Sequence, residues 1–278
     1  MNRRFGLSST LLSAVLAGVL VMFAGPGAQA AGACGSTALA HRGAKTASID
    51  ENTLESIERA QRIGAYTEND VFLTADGRFL MIHNLSLHHT TNCEGDVTDW
   101  LLADIQAECL TTPNGMALPT ARQAFRTLAG NPDQLMNLEV KGPGWFDNDN
   151  AELVELRNAA AAEGVLDRVY FSNDATYQLV TAFRDSAPDA MVTWKPEPGE
   201  PDLSVEHATD LSADAVMATK SQWVLAGVVL SLLKLAGFEI WSKVSDNEAV
   251  WEANRELGVE IQLTNRPKVY MTWCDSLT

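Results

Sequence analysis

Basic residues are scarce in this sequence. The chain has 278 residues, with 20 Lys and Arg against 36 Asp and Glu, for a formal net charge of −16. So acidic a surface repels nucleic acid and anionic membranes, and it excludes a nucleic-acid binder. A phosphate-bearing substrate would need a local positive centre against that background, such as a bound metal with an Arg or Lys. Internal repeats, low-complexity blocks and Pro-rich linkers are also missing, so nothing marks a boundary between domains. Cysteine is limited to Cys34, Cys93, Cys109 and Cys274. No Cys-x-x-Cys pair occurs, which argues against a cysteine metal site. The chain also lacks an apolar run long enough to cross a bilayer. The run Leu11–Ala24 is about fourteen residues, where about twenty are needed.

Hydrophobic residues make up 46% and charged residues 20%, an ordinary globular composition. The length suits one large barrel or two small domains. Arg3 and Arg4 precede the Leu11–Ala24 run, Pro26 and Gly27 break it, and Ala28-Gln29-Ala30 follows as a small-x-small site. This reads as a secretory signal peptide spanning 1–30, cut near Ala30, which leaves 31–278 as a single domain and predicts a secreted protein. Cleavage removes two arginines and takes the net charge from −16 to about −18. All four cysteines lie in the exported part, where disulfides persist. Three pairings are open. Cys93–Cys109 is favoured because the two flank one short loop region, which leaves Cys34–Cys274 to join the ends.

Short apolar segments alternate with longer helical patterns. The candidate strands are Thr37–His41, Tyr66–Leu73, Phe79–His83, Leu135–Lys141, Arg168–Phe171, Ala190–Trp194, Ala213–Met217, Phe238–Ser242 and Val259–Leu263. Candidate helices are Thr53–Gly64, Ala151–Gly164, Ala175–Ser186, Gln222–Ala236 and Asn247–Gly258, several ending in Gly as helices often do. The alternation predicts an α/β fold with a parallel sheet, and eight such units close a (βα)8 TIM barrel. The strand Phe79–His83 is one too many. It follows Tyr66–Leu73 after Ala75-Asp76-Gly77-Arg78, too few residues for a helical crossover, so it reads as an excursion from the second barrel strand. Trp223–Leu235 is apolar almost all round. It is either a buried outer helix or a lip making transient membrane contact.

Several polar residues recur at strand ends, where a TIM barrel builds its active site. His41-Arg42-Gly43 ends the first strand, offering an acid-base imidazole, a planar phosphate fork and a flexible turn. Glu51-Asn52-Thr53 suits a helix start, with Thr53 as cap and Glu51 beside the positive helix end. Glu68 and Asp70 share one face of a strand. Facing a barrel interior, they would need a compensating partner, and a hard divalent cation suits carboxylate oxygens. On an exposed edge strand they would simply be solvated. His83 ends the excursion, as an acid-base partner to His41 or as a structural histidine. Glu139 and Lys141 share a face of another strand, as a third carboxylate with a phosphate-neutralising Lys or as an ordinary ion pair.

Taken in order, HRG, ENT, ExD, a strand-end His and ExK resemble the glycerophosphodiester phosphodiesterase family. Ala40–Thr91 carries most of the likeness, and Trp241, Val244-Ser245-Asp246, Gly258-Val259 and Thr264-Asn265-Arg266-Pro267 add a weaker tail. The resemblance implies a TIM barrel binding one divalent metal, Mg²⁺ or Ca²⁺, through Glu68, Asp70 and Glu139. It implies His41 and His83 as general acid and base, Arg42 and Lys141 as phosphate binders, and release of an alcohol from glycerol 3-phosphate. The implied partner is a small-molecule phosphodiester, with no protein partner. Two positions depart from the family pattern. Asn84 stands where an Asp usually follows the histidine, and Asn69 stands between the two acids in place of an aliphatic residue. Two further readings follow from the same residues. Trp223–Leu235 would let a lysophospholipase D-type enzyme take a lyso-lipid substrate, and Asn84 would suit a barrel that binds without turnover.

Overall fold

The computed structural model describes residues 34–146, 148–173, 176–196, 205–226 and 228–277. The expected leader, 1–30, lies outside them. Each of the nine expected segments forms a strand: β1 Thr37–Ala40, β2 Tyr66–Leu73, β3 Phe79–Met81, β4 Met136–Lys141, β5 Val169–Ser172, β6 Met191–Trp194, β7 Ala215–Ala218, β8 Glu239–Ser242 and β9 Ile261–Thr264. Eight of them pair in parallel, β1 with β2, β2 with β4, and onward in order to β9, which returns to β1. The sheet is therefore a closed (βα)8 barrel. β3 runs antiparallel to β2 outside the barrel, joined by a tight turn in which Thr74 N donates to Arg78 O at 3.0 Å.

The helices among the described residues are α1 Leu54–Arg62, α2 Leu102–Glu108, α3 Ala121–Ala129, α4 Ala151–Ala162, α5 Thr176–Ser186, α6 Val205–Asp210, α7 Lys220–Ala226, α8 Val228–Leu235, α9 Glu248–Glu256 and α10 Pro267–Asp275. α1 and α3 start on threonine caps. Thr53 and Thr120 each accept from the backbone N–H three residues on, which meets one of the unpaired donors of the first turn. The helix expected over Gln222–Ala236 is described as α7 and α8, on either side of residue 227, which lies outside the described residues. Trp223, Leu230 and Leu233 are buried, while Leu232 and Leu235 are exposed. No helix among the described residues is long and apolar enough to cross a membrane.

Strand alternation separates two apolar regions. Outward residues such as Val71, Leu138, Val140, Phe171, Val192, Val216 and Ile240 pack under the helices in one large cluster. Inward residues Leu39, Tyr66, Tyr170, Met217, Trp241, Ile261 and Leu263 fill the barrel itself. Above them lies a polar layer in which Asn137 Nδ2 donates to Ser172 Oγ at 3.0 Å and Thr193 Oγ1 donates to Asn137 Oδ1 at 3.1 Å. The barrel thus has a filled floor and a polar upper half. Both favoured disulfides are present, Cys34–Cys274 joining the start of the barrel to α10 and Cys93–Cys109 closing the excursion.

Candidate active site

The register of β2 against β4 assembles the site. Asp70 pairs with Glu139 and Glu68 with Asn137, so three carboxylates on two adjacent strands face the same interior. Glu68, Asp70 and Glu139 are all buried, and each places an oxygen within 4.8 Å of the others. Thr67, Asn69, Val71 and Leu73 take the opposite face. Asn69 is fully buried there and paired: it accepts from Thr67 Oγ1 at 2.7 Å and donates to Asn52 Oδ1 at 3.1 Å. This polar residue among the outer helices therefore meets the requirement that buried polar groups be hydrogen-bonded.

The turn after β1 grips this strand. Arg42 N donates to Glu68 Oε2 at 2.8 Å, and Gly43 N donates to Glu68 O at 2.9 Å. Arg42 and Gly43 both have positive φ. A Cβ at position 43 would collide with the Ser56 side chain, so glycine is required on both counts. Asn52, also at positive φ, accepts from Asp70 N at 3.0 Å and donates to Asp70 Oδ2 at 3.0 Å. Thr53 is the helix cap, as expected, but Glu51 is not spent on the helix end. Its oxygens accept from Arg42 Nη1 at 2.8 Å and Lys45 Nζ at 2.7 Å. Burial alone would raise the Glu51 carboxyl, yet Lys45 and Arg42 hold it below the usual range.

The cations lie on the other side of the cluster. Lys141 Nζ donates to Glu139 Oε1 at 2.5 Å and sits 3.7 Å from Asp70 Oδ1. Lys195 Nζ lies 2.7 Å from Glu139 Oε2. Arg42 Nε is 3.7 Å from Asp70 Oδ2, buried and without a hydrogen bond. Glu68 Oε1 is likewise buried with no hydrogen-bond partner. Burial, then Asp70 and Glu139, push the Glu68 carboxyl well above its ordinary range; burial and Glu139 raise Asp70. An unpaired buried oxygen among three hard carboxylate donors fits a hard divalent cation, which would favour their charged forms.

Two histidines follow strand ends next to this cluster. His41 precedes the Arg42 amide that holds Glu68, and its Nδ1 lies 2.8 Å from Asn265 Oδ1. Burial, opposed by the Asn265 bond and assisted by Arg42 and Lys45, lowers the His41 pKa to about 4, so the ring is neutral near pH 7. His83 follows Ile82, whose N donates to Asp70 O at 3.1 Å, and its charge acts on the Asp70 carboxyl. His83 Nδ1 lies 3.2 Å from Asn84 Oδ1, the position where an Asp was expected.

Structure thus brings His41, Arg42, Glu68, Asp70, His83, Glu139 and Lys141 to one end of the barrel. Sequence reading missed Lys195, and it quoted Asn52, Asp246 and Asn265 among the family motifs without giving them a role. Lys195 carried a signal: it extends the inward column Met191, Thr193 by one more step beyond the predicted strand.

Comparison with known proteins gives the family and the fold. A Caldanaerobacter subterraneus subsp. tengcongensis glycerophosphodiester phosphodiesterase is 37% identical over 109 residues, 37% of this chain and 44% of that protein. A Bacillus subtilis glycerophosphodiester phosphodiesterase is 42% identical over 69 residues, 24% of this chain and 23% of that protein. The aligned part therefore spans less than half the length of either relative. Among solved structures, a Parabacteroides distasonis glycerophosphodiester phosphodiesterase superposes with a TM-score of 0.76 at 20% identity, over 87% of this chain and 98% of that one. An Oleispira antarctica phosphodiesterase, solved with the product sn-glycerol-3-phosphate, gives 0.70 at 22% identity, over 86% and 96%. At such identity the structures show the fold. The sequence model of the glycerophosphoryl diester phosphodiesterase family matches residues 41–269, from the first histidine to the first turn of α10, and over that span the chain belongs to this family.

Proposed function

We propose that the chain is a metal-dependent phosphodiesterase that hydrolyses glycerophosphodiesters to glycerol 3-phosphate and an alcohol. One observation carries the reading: three buried carboxylates converge within 4.8 Å, and one of their oxygens has no hydrogen-bond partner. Glu68, Asp70 and Glu139 would hold the cation, Mg²⁺ or Ca²⁺. When bound there, a divalent cation supplies positive charge against a phosphoryl oxygen.

The protein's own groups do the rest. Arg42 presents a planar fork and Lys141 a point charge to the phosphate, which concentrates an anion in an otherwise acidic molecule. One imidazole takes the proton of the attacking group, water or the glycerol 2-hydroxyl. The other gives a proton to the leaving oxygen. The polar layer of Asn137, Ser172 and Thr193 fixes the floor on which Glu139 stands.

The test is release of choline or ethanolamine from the deacylated diesters with Mg²⁺ or Ca²⁺, with and without EDTA, in wild type and His41→Ala. Turnover abolished by both treatments supports the reading. A folded protein inert toward both diesters with either cation removes it and leaves the non-catalytic barrel. The lyso-lipid alternative rests on the exposed Leu232 and Leu235. Equal inertness toward lyso-lipids would eliminate it. Export is supported by the two disulfides, and a secreted product starting near Ala31 would establish it.

A further inference from the structure

His41 is held on its Nδ1 side by a chain of fixed hydrogen bonds. Asp246 follows β8 and Asn265 follows β9, and Ser245 N donating to Leu263 O at 3.0 Å brings the two segments together. Asp246 Oδ1 accepts from Thr264 Oγ1 at 2.7 Å and from Asn265 N at 2.8 Å, while its Oδ2 accepts from Asn265 Nδ2 at 2.9 Å. Burial would raise this carboxyl, but the bonds from Asn265 and Thr264 hold it low, so it is ionised and has no proton to give. Turning the Asn265 amide over would set oxygen against oxygen. The amide therefore has one orientation, with Oδ1 facing His41 Nδ1 at 2.8 Å. An amide oxygen can only accept, so Nδ1 carries the ring proton. The lone pair of the neutral ring is then on Nε2.

We propose that Asp246 and Asn265 are positioning residues for His41: the carboxylate fixes the amide, the amide fixes the Nδ1–H tautomer, and Nε2 is left as the ring's only proton acceptor. The proposal rests on the phosphodiesterase reading, within which it makes His41 the group that takes the proton from the attacking hydroxyl or water. The proton lands on Nε2, and the resulting imidazolium still donates through Nδ1 to Asn265. His83 has no equivalent. Its Nδ1 faces Asn84 Oδ1, and among the described residues no second side-chain bond fixes the Asn84 amide.

The deciding measurement is ¹⁵N NMR of the full chain, disulfides intact, with labelled histidine at neutral pH. His41 is expected with Nδ1 protonated and Nε2 bare. A major Nε2–H tautomer overturns the proposal, whether or not the protein hydrolyses any diester, so this failure is distinct from failure of the phosphodiesterase reading. Asp246→Asn should lower kcat on a glycerophosphodiester at least tenfold, with KM within about threefold, and should disperse the His41 tautomer. The exchange Asp246→Asn with Asn265→Asp keeps an acceptor beside Nδ1, itself held by an amide, and should recover most of the lost rate. An Asp246→Asn variant with unchanged tautomer and kcat overturns the proposal. Should that variant fail to fold, Asn265→Ala is read the same way by NMR.

Discussion

Glu68 of β2, one step past the level of the last residue of β1, and Glu239 at the lower end of β8 are both acids turned into one barrel, and burial is the main force raising the pKa of each. Their surroundings differ. Glu239 Oε1 accepts from the Tyr170 hydroxyl at 2.7 Å, and its Oε2 accepts from Trp241 Nε1 at 3.0 Å. Both donors belong to rigid aromatic side chains that contact each other at 4.8 Å between ring centres. Glu68 has one oxygen on the Arg42 amide and the other on nothing, with two more acids beside it. The lower acid is a completed structural element. The upper one is incomplete without something positive, and buried charge without compensation is costly. Unsatisfied buried polar groups in a native fold call for an explanation, and the proposed cation site supplies one.

The comparison breaks most sharply through activity. His41→Ala, at the upper end, is expected to lower kcat by about 10²–10⁴, the usual range for a general acid-base group. Glu239→Gln, at the lower end, should leave kcat/KM within about threefold, measured on the same diester. An equal loss in both would mean that the two ends are not functionally separate.

Cation binding comes next in size. Mg²⁺ or Ca²⁺ at 100 times its Kd should stabilise the wild type by about 2.7 kcal/mol, read from thermal unfolding. Glu68→Gln should abolish that gain, whereas Glu239→Gln should keep it. Without cation, Glu239→Gln should cost about 1 kcal/mol, because an amide cannot accept from both Tyr170 and Trp241 with both of its ends.

The smallest effect is the pH dependence of stability without cation. Glu239 has a raised folded pKa, so its contribution is complete below the unfolded carboxyl value of about 4.3 and is lost as pH rises through the folded value. Denaturation followed across that window should show stability falling with pH, and Glu239→Gln should flatten part of the slope. The remainder, from Glu68 and Asp70, should vanish in saturating Mg²⁺ or Ca²⁺.

Much of the upper site is legible along the chain because it is local or periodic. Glu68 and Asp70 are two residues apart in a strand, as are Glu139 and Lys141, and period two puts each pair on one face. Thr53 capping α1 follows from residue type. Glu51 could not be assigned this way, since its partners Arg42 and Lys45 meet it only when the loop after β1 folds back. The sequence reading misses α2 and α6, of seven and six residues, because so short a helix carries no long apolar period, and it also passes over α3 and α10, which are as long as α1 and α9. Lys195 and Asn265 sit one step beyond their strands, and a side chain there gains meaning only from its neighbours across the barrel mouth.

By itself the sequence determined the class of fold, the strand spacing and the pairing of Glu68 with Asp70 and of Glu139 with Lys141 on one strand face each, because alternation and turn chemistry act over a few residues. Only the tertiary structure decided that Asp70 stands beside Glu139, that Lys195 joins them, and that Asp246 and Asn265 hold His41. Those are contacts between strands far apart in the chain. Barrel closure and strand register set them, and no local pattern encodes either.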